Sequence, residues 1–152
     1  MDAHYRIRPA DPADAASLSV LERRCFSDPW SADGFREALT MSVCFGLVAA
    51  GGRDIRGYFL ARVVDGEAEI LNLAVDPDLR RRGIGQALLK AGLDEFLYRG
   101  AREAYLEVRE SNLAAQTMYL ASGFRVAGAR QRYYRQPVEN ALVYRLHLPV
   151  PA

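Results

Sequence analysis

Between Glu69 and Tyr98 the chain passes from an apolar run, through a loop rich in arginine and glycine, into an amphipathic segment. This passage restricts the fold more than any other feature. Glu69-Ile70-Leu71-Asn72-Leu73-Ala74-Val75 is strand-like and stops at Asp76-Pro77. Arg80-Arg81-Arg82-Gly83-Ile84-Gly85-Gln86 follows, and Leu89, Leu93, Phe96 and Leu97 then recur at helical spacing as far as Gly100. The first N–H groups of a helix lack intrahelical partners, and the macrodipole is positive there. A strand, an Arg/Gly loop and a helix N-terminus in series therefore make an anion site. Gly83 and Gly85 let a ligand approach the backbone with no Cβ in the way, and a diphosphate fits such a cradle.

Two common phosphate loops do not fit. A Walker loop requires Gly-Lys-Ser/Thr after its first glycine, and this loop has no lysine. A dinucleotide fingerprint requires Gly or Ala where this chain has Leu88, and it occupies the first strand–helix turn. Several strand-like segments come earlier here. What remains is Arg-x-x-Gly-x-Gly, from Arg80 to Gly85.

With 152 residues, half of them hydrophobic, the chain is long enough for one domain with a real core. The expected domain spans 1–148, with 149–152 a frayed tail. A formal net charge of +1 gives no overall field that would demand nucleic acid. Cys25 and Cys44 do not cluster with His4 and His147, so a reduced cytoplasmic protein without a metal is expected. No secretory apolar region follows Met1, and no stretch is long enough to span a membrane.

The rest of the chain reads as alternating elements. Tyr5 to Arg8 is a short strand. Asp11 and Pro12 open a helix carrying Leu18, Leu21 and Cys25, and Ser31 caps a second helix through Leu39. Strands over 43–50, 55–64 and 67–75 are joined by hairpin turns at 51–54 and at Asp65-Gly66. The loop helix runs from Gly83 to Tyr98. Glu103 to Arg109 alternates cleanly, with Ala104, Leu106 and Val108 opposite Tyr105, Glu107 and Arg109. Ser111-Asn112 caps a further helix ended by Gly123, with Leu113, Thr117 and Leu120 as its apolar stripe. Strands over 124–132 and 141–148 complete a mixed α/β sandwich with a central sheet.

The Arg/Gly loop after Val75-Asp76-Pro77 resembles the coenzyme A loop of the GCN5-related N-acetyltransferases. A closer resemblance covers nearly the whole chain. Asp28-Pro29-Trp30, Asn72-Leu73-Ala74-Val75-Asp76-Pro77, the loop, Leu106-Glu107-Val108-Arg109-Glu110-Ser111-Asn112, Met118-Tyr119, Gly123-Phe124 and Tyr133-Tyr134 recur in that order. They are similar to the bacterial ribosomal-protein alanine N-acetyltransferases. This implies an acetyl-CoA-dependent enzyme with the acetyltransferase fold, a single mixed sheet flanked by helices. The implied substrate is the α-amine of a protein N-terminus, often that of a small-subunit ribosomal protein. No membrane, metal or direct nucleic-acid partner is implied.

The resemblance also implies roles for particular residues. Arg80, Arg81, Arg82, Gly83, Ile84, Gly85 and Gln86 hold the pyrophosphate. Leu73, Ala74 and Val75 offer backbone contacts to pantetheine, and an N–H near Leu73 stabilises the oxyanion. Glu107 is the base that takes the amine proton; the alternative is a solvated or Arg109-paired carboxylate. Tyr119 contacts the cofactor and gives a proton to the leaving sulfur; the alternative is a core aromatic. Asn112 caps its helix or touches the cofactor. Trp30 and Tyr134 frame the acceptor, or simply pack. Glu139-Asn140-Ala141 departs from the acidic pair found before this alanine in many members, which weakens the expected selection for a basic acceptor residue.

Other functions stay open at this point. The same fold serves acetyltransferases of lysine, polyamines and small amines. A non-catalytic acetyl-CoA-binding module lacks a reason to carry Glu107 and Tyr119. RNA binding through Arg130, Arg132, Tyr133, Tyr134 and Arg135 rests on a short run in a nearly neutral chain. A covalent route through Cys25 or Cys44 has no activating neighbour in the sequence.

Overall fold

The predicted passage from strand to loop to helix occupies the middle of a seven-stranded sheet. The computed structural model describes residues 4–149. The chain runs through β1 (Arg6–Pro9), α1 (Ala15–Cys25), α2 (Ala32–Thr40), β2 (Cys44–Gly51), β3 (Asp54–Val64) and β4 (Glu67–Val75). It continues through α3 (Ile84–Tyr98), β5 (Glu103–Arg109), α4 (Leu113–Ala121), β6 (Arg125–Tyr134) and β7 (Glu139–His147). The strand order is β1-β2-β3-β4-β5-β7-β6. Every neighbour pair is antiparallel except β4 and β5.

Local chemistry sets the ends of these elements. Asp11 Oδ1 accepts from the Ala13 N–H at 2.8 Å, and Asp14 Oδ2 accepts from the Asp11 N–H at 2.9 Å. This reciprocal cap starts a single 3₁₀ turn that leads into α1. Ser31 Oγ accepts from the Gly34 N–H at 3.0 Å and opens α2. Asp65 and Gly66 both take positive φ, 51° and 81°, as a two-residue hairpin turn requires.

Alternation along β3 divides the core into two layers. Tyr58 and Leu60 join Leu18, Leu21 and Phe35 beneath α1 and α2. Phe59 and Ala61 join Leu88, Phe96, Leu106 and Tyr119 on the opposite side, beneath α3 and α4. The buried face of α3 is wider than the predicted stripe: it is centred on Ile84, Leu88, Gly92 and Phe96, with Leu93 and Leu97 half-buried at its flank.

The predicted stripe of α4 is overturned. Leu113 and Leu120 are 69% and 41% exposed, and Thr117 is exposed too, whereas Tyr119 is 6% exposed. Helical spacing identified a face of α4, but Tyr119, with Ala115 and Met118, offers the larger surface to the sheet edge. The last hairpin is tighter than predicted, because Glu139 already pairs with Tyr134. Leu148 is core, and its N–H donates to the Arg102 carbonyl at 2.8 Å. Residues 1–3 and 150–152, at the ends of the predicted domain and its tail, lie outside the described residues.

The divergence of the central pair positions the site. β4 and β5 pair in parallel only from Glu67↔Glu103 to Ile70↔Leu106. Beyond that point each keeps its outer partner alone: Leu73 faces Phe59 of β3, and Glu107 faces Val143 of β7. A bulge at Leu71, between the pairs Ala61↔Ile70 and Leu60↔Asn72, turns β4 at this point. The inner edges of Leu71–Val75 and Glu107–Arg109 are left without each other as partners.

Candidate active site

The loop at the end of β4 closes one side of this fork. Gly83 begins α3 at φ 82°, a left-handed conformation that a Cβ would strain. The first backbone bond of α3 runs from the Ala87 N–H to the Gly83 carbonyl at 3.0 Å. The N–H groups of Ile84, Gly85 and Gln86 therefore have no backbone acceptor among the described residues, and they point out of the helix at its positive end. A Cβ on Gly85 would sit 3.4 Å from Met118 Sδ and 3.5 Å from Val75 Cγ2. The ends of β4, α3 and α4 thus converge on this residue.

Ion pairs brace the loop against α1. Arg24 reaches Asp76 at 2.9 Å and Asp78 at 3.1 Å. The Cys25 thiol donates to the Val75 carbonyl at 3.6 Å. Burial pushes its pKa up in spite of the nearby Arg80, and burial does the same to Cys44. Neither cysteine is poised as a thiolate nucleophile.

Glu107 lies on the opposite arm of the fork, on the face that α1 and α2 leave open. Its partner is not Arg109. Arg130 of β6 donates from Nε to Glu107 Oε1 at 2.9 Å, and the two side chains are 58% and 19% exposed. The nearby Glu107 carboxylate pushes the Tyr133 pKa up. Arg109 turns instead to the final hairpin. It meets Glu139 at 3.2 Å and the carbonyls of Arg135 and Pro137 at 2.8 Å and 3.0 Å, with its guanidinium 4.4 Å from the Tyr134 ring centre.

A groove of about 600 Å³ runs from Glu107 along Tyr105, Glu69, Glu67 and Asp65. Arg62 bridges Glu69 at 2.5 Å on its wall. Glu139 and Asn140, the departure from the acidic pair, are both committed to structure. Glu139 Oε2 accepts from the Ser111 N–H at 2.5 Å, and Asn140 Oδ1 accepts from the Arg132 N–H at 2.9 Å.

Tyr119 sits behind the fork. Its ring packs against Phe124 at 5.6 Å and Tyr144 at 6.5 Å. Burial, and secondarily Tyr134, holds its hydroxyl pKa well above the usual tyrosine range. Among the described residues the hydroxyl has no hydrogen-bond partner, yet it is not sealed; the enclosed and unpartnered side-chain atom is Arg56 Nε. The Tyr134 hydroxyl acts electrostatically on Tyr119, and Glu107 acts on Tyr134. Burial, then Glu107, pushes the Tyr134 pKa up as well.

Asn112 caps α4, its Oδ1 accepting from the Ala115 N–H at 3.2 Å. Trp30 packs on Phe35 at 5.4 Å, and its backbone N–H donates to Glu22 Oε2 at 2.9 Å. Sequence reasoning missed Arg130 and Tyr133 as partners of Glu107, and missed the buried Glu22 altogether. A signal for Glu22 was available: it stands four residues after Leu18, on the buried stripe of α1.

An open strand edge, an anion cradle at one end of it and a carboxylate across the fork make a candidate acyl-transfer site. The chain belongs to the acetyltransferase (GNAT) family, whose profile matches residues 15–124. It is an N-acetyltransferase that uses acetyl-CoA. The ribosomal protein bS18-alanine N-acetyltransferase of Escherichia coli is 34% identical over 128 residues, which is 84% of this chain and 86% of that protein. The N-alpha-acetyltransferase RimI of Mycobacterium tuberculosis is 37% identical over 139 residues, covering 88% of this chain and 86% of its own length. The crystal structure of the Escherichia coli ribosomal-protein-S18-alanine N-acetyltransferase superposes with a TM-score of 0.91 at 30% identity, covering 98% of this chain and 97% of that one.

Proposed function

We propose that this enzyme acetylates the α-amine of a protein N-terminus, with the N-terminal alanine of a small-subunit ribosomal protein as its acceptor. The observation that carries the reading is the fork: β4 and β5 part after Ile70↔Leu106, with Glu107 just past the parting and an open groove leading to it. Its relative in Escherichia coli, a ribosomal protein bS18-alanine N-acetyltransferase, supports the choice of acceptor, and its relative in Mycobacterium tuberculosis, an N-alpha-acetyltransferase, supports the α-amine. We place the reaction in the cytoplasm, where acetyl-CoA and newly made ribosomal proteins meet.

Each residue has a defined task in direct transfer. N–H groups from Gly83 to Gln86 hold the pyrophosphate, and Arg80, Arg81 and Arg82 answer its remaining charge. Leu73, Ala74 and Val75 bind the pantetheine arm through their free strand edge, and an N–H near Leu73 receives the oxyanion. Trp30 and Tyr134 flank the incoming N-terminus. Asn112 fixes the start of α4 and so the position of Tyr119.

Glu107 accepts the proton of the α-ammonium, directly or through one water. The freed amine attacks the thioester carbon and the C–S bond breaks. Tyr119 then donates its proton to the departing sulfur, and the second proton, shed by the acylated nitrogen, returns to Tyr119. A free α-amine has a pKa of roughly 7.7–8.0, so a single carboxylate is enough help near neutrality. Raised by burial, the Tyr119 hydroxyl keeps its proton until a thiolate asks for it.

Mass spectrometry of a peptide panel with acetyl-CoA tests the acceptor. Acetyl is expected on free α-amines of small first residues, alanine foremost. Acetyl only on internal lysines or on polyamines would retain the mechanism and overturn the acceptor. No transfer, with acetyl-CoA still bound, would favour a binding module.

A further inference from the structure

The carboxylate of Glu22 is buried in the protein without a cation. It is 1% exposed and sits in the middle of α1. Oε1 accepts from the Tyr58 hydroxyl and from Asn72 Nδ2 at 3.1 Å. Oε2 accepts from the Trp30 N–H at 2.9 Å and from Asn72 Nδ2 at 3.0 Å. The neighbouring arginines point elsewhere: Arg23 donates to Ser19 Oγ at 3.0 Å, and Arg24 holds Asp76 and Asp78. Burying an unpaired carboxylate is costly, and an apolar side chain of similar volume would fill the place at least as stably. The geometry therefore calls for a purpose other than stability.

The three partners supply one. Asn72 follows the bulged Leu71 and precedes Leu73, at the place where β4 leaves β5. Tyr58 pairs with Ala74, two residues further along the same free edge. Trp30 belongs to the loop between α1 and α2, on the acceptor side. We propose that Glu22 is a positioning residue for acetyl transfer: it ties the turned segment of β4, which receives the acyl group, to the loop that frames the acceptor. The two substrates then meet at a fixed separation because both supports hang from one carboxylate. This rests on the reading that the free edge of β4 holds the acyl group. A displacement of about 1 Å in such a support is enough to cost a large factor in rate.

The test compares Glu22→Leu with Glu22→Gln in kcat, acceptor KM, acetyl-CoA binding by calorimetry and thermal midpoint. Glu22→Leu removes every acceptor atom while filling the volume. Glu22→Gln retains the tie, because the Asn72 amide can turn its oxygen to the new NH₂ and the Tyr58 hydroxyl can adapt. Expected for Glu22→Leu is a kcat loss on the order of tenfold or more, with acetyl-CoA bound at full stoichiometry and affinity within about twofold. Glu22→Gln should stay within about threefold of the wild type. A merely structural residue would instead reduce kcat and acetyl-CoA stoichiometry together.

Wild-type turnover in a folded Glu22→Leu protein would overturn the proposal. So would a Glu22→Gln loss as deep as that of Glu22→Leu. If Glu22→Leu does not fold, Asn72→Ala cuts the same tie from half-exposed β4 and is held to the same criteria. Failure of the underlying reading looks different, because a crystal structure of the wild-type enzyme with acetyl-CoA would then show the acyl group away from Leu71–Val75.

Discussion

Adding one methyl group at Gly92 should destabilise this protein, and adding one at Gly34 should not. Both glycines are helical, and alanine in place of glycine favours a helix by about 1 kcal/mol. At Gly92 a Cβ would lie 2.5 Å from Phe59 Cε1 and 2.7 Å from Cε2, with Cζ closer still. The Phe59 ring is fully buried and is held by Phe45 and Phe96 at 5.9 Å and 5.8 Å, so it has nowhere to retreat. Overpacking of this kind costs about 1–3 kcal/mol. The net loss for Gly92→Ala is then up to about 2 kcal/mol, or up to roughly 4–8 °C in Tm for a domain of this size.

At Gly34 the new Cβ meets Ser31 Oγ at 3.5 Å and Trp30 Cε3 at 3.7 Å, which are ordinary contacts. Helix propensity wins there, and Gly34→Ala should gain up to about 1 kcal/mol. Urea denaturation of the two variants in parallel reads the difference. Gly92→Ala as stable as Gly34→Ala would refute the packing argument. Function is engaged as well, since Gly92 packs on Phe59 of the sheet and belongs to the helix whose first turn is proposed to form the cradle. Gly92→Ala should therefore weaken acetyl-CoA binding at temperatures where it remains folded, and Gly34→Ala should not.

Two other perturbations separate the proposed roles at the fork. Tyr119→Phe should lower kcat by about 10²-fold with little change in acceptor KM. Because burial raises the hydroxyl pKa and only the protonated form donates, the wild-type rate should not decline on the alkaline side before the ordinary tyrosine range near pH ~10; a decline starting near pH ~8 would remove Tyr119 from the acid role. Arg130→Ala removes an exposed cation from the carboxylate proposed to meet the acceptor ammonium. Acceptor KM should fall, while urea denaturation should register less than about 1 kcal/mol; an unchanged KM would mean that the ion pair does not compete with substrate.

The parts of this fold written locally were legible in the sequence. β4 follows from its apolar run ended at Asp76-Pro77, β5 from period-two alternation, and the loop–helix passage from Gly83, whose positive φ the loop requires. Asp11, Ser31 and Asn112 cap the helices they precede, because short polar side chains satisfy N–H groups a few residues away. What was not legible depends on contacts between distant segments. The buried side of α4 is decided by which residues reach the sheet edge, and helical spacing alone does not distinguish Leu113 and Leu120 from Tyr119. Glu107 finds Arg130 rather than Arg109 because the register shifts along β6 and β7 bring Arg130 over β5, while the turn at 135–138 draws Arg109 away. Glu22 meets Tyr58 and Asn72 across three elements, and no local pattern records that meeting.

The most direct test of the account is the rate of acetyl transfer by Glu107→Gln at saturating acetyl-CoA and acceptor, alongside acetyl-CoA affinity. A neutral amide of the same shape cannot take the amine proton. Turnover should therefore fall by about 10²-fold or more near neutrality, with acetyl-CoA bound as tightly as by the wild type. Equal turnover in the two proteins would contradict the central claim and leave the Glu107 carboxylate as a structural partner of Arg130 and Tyr133.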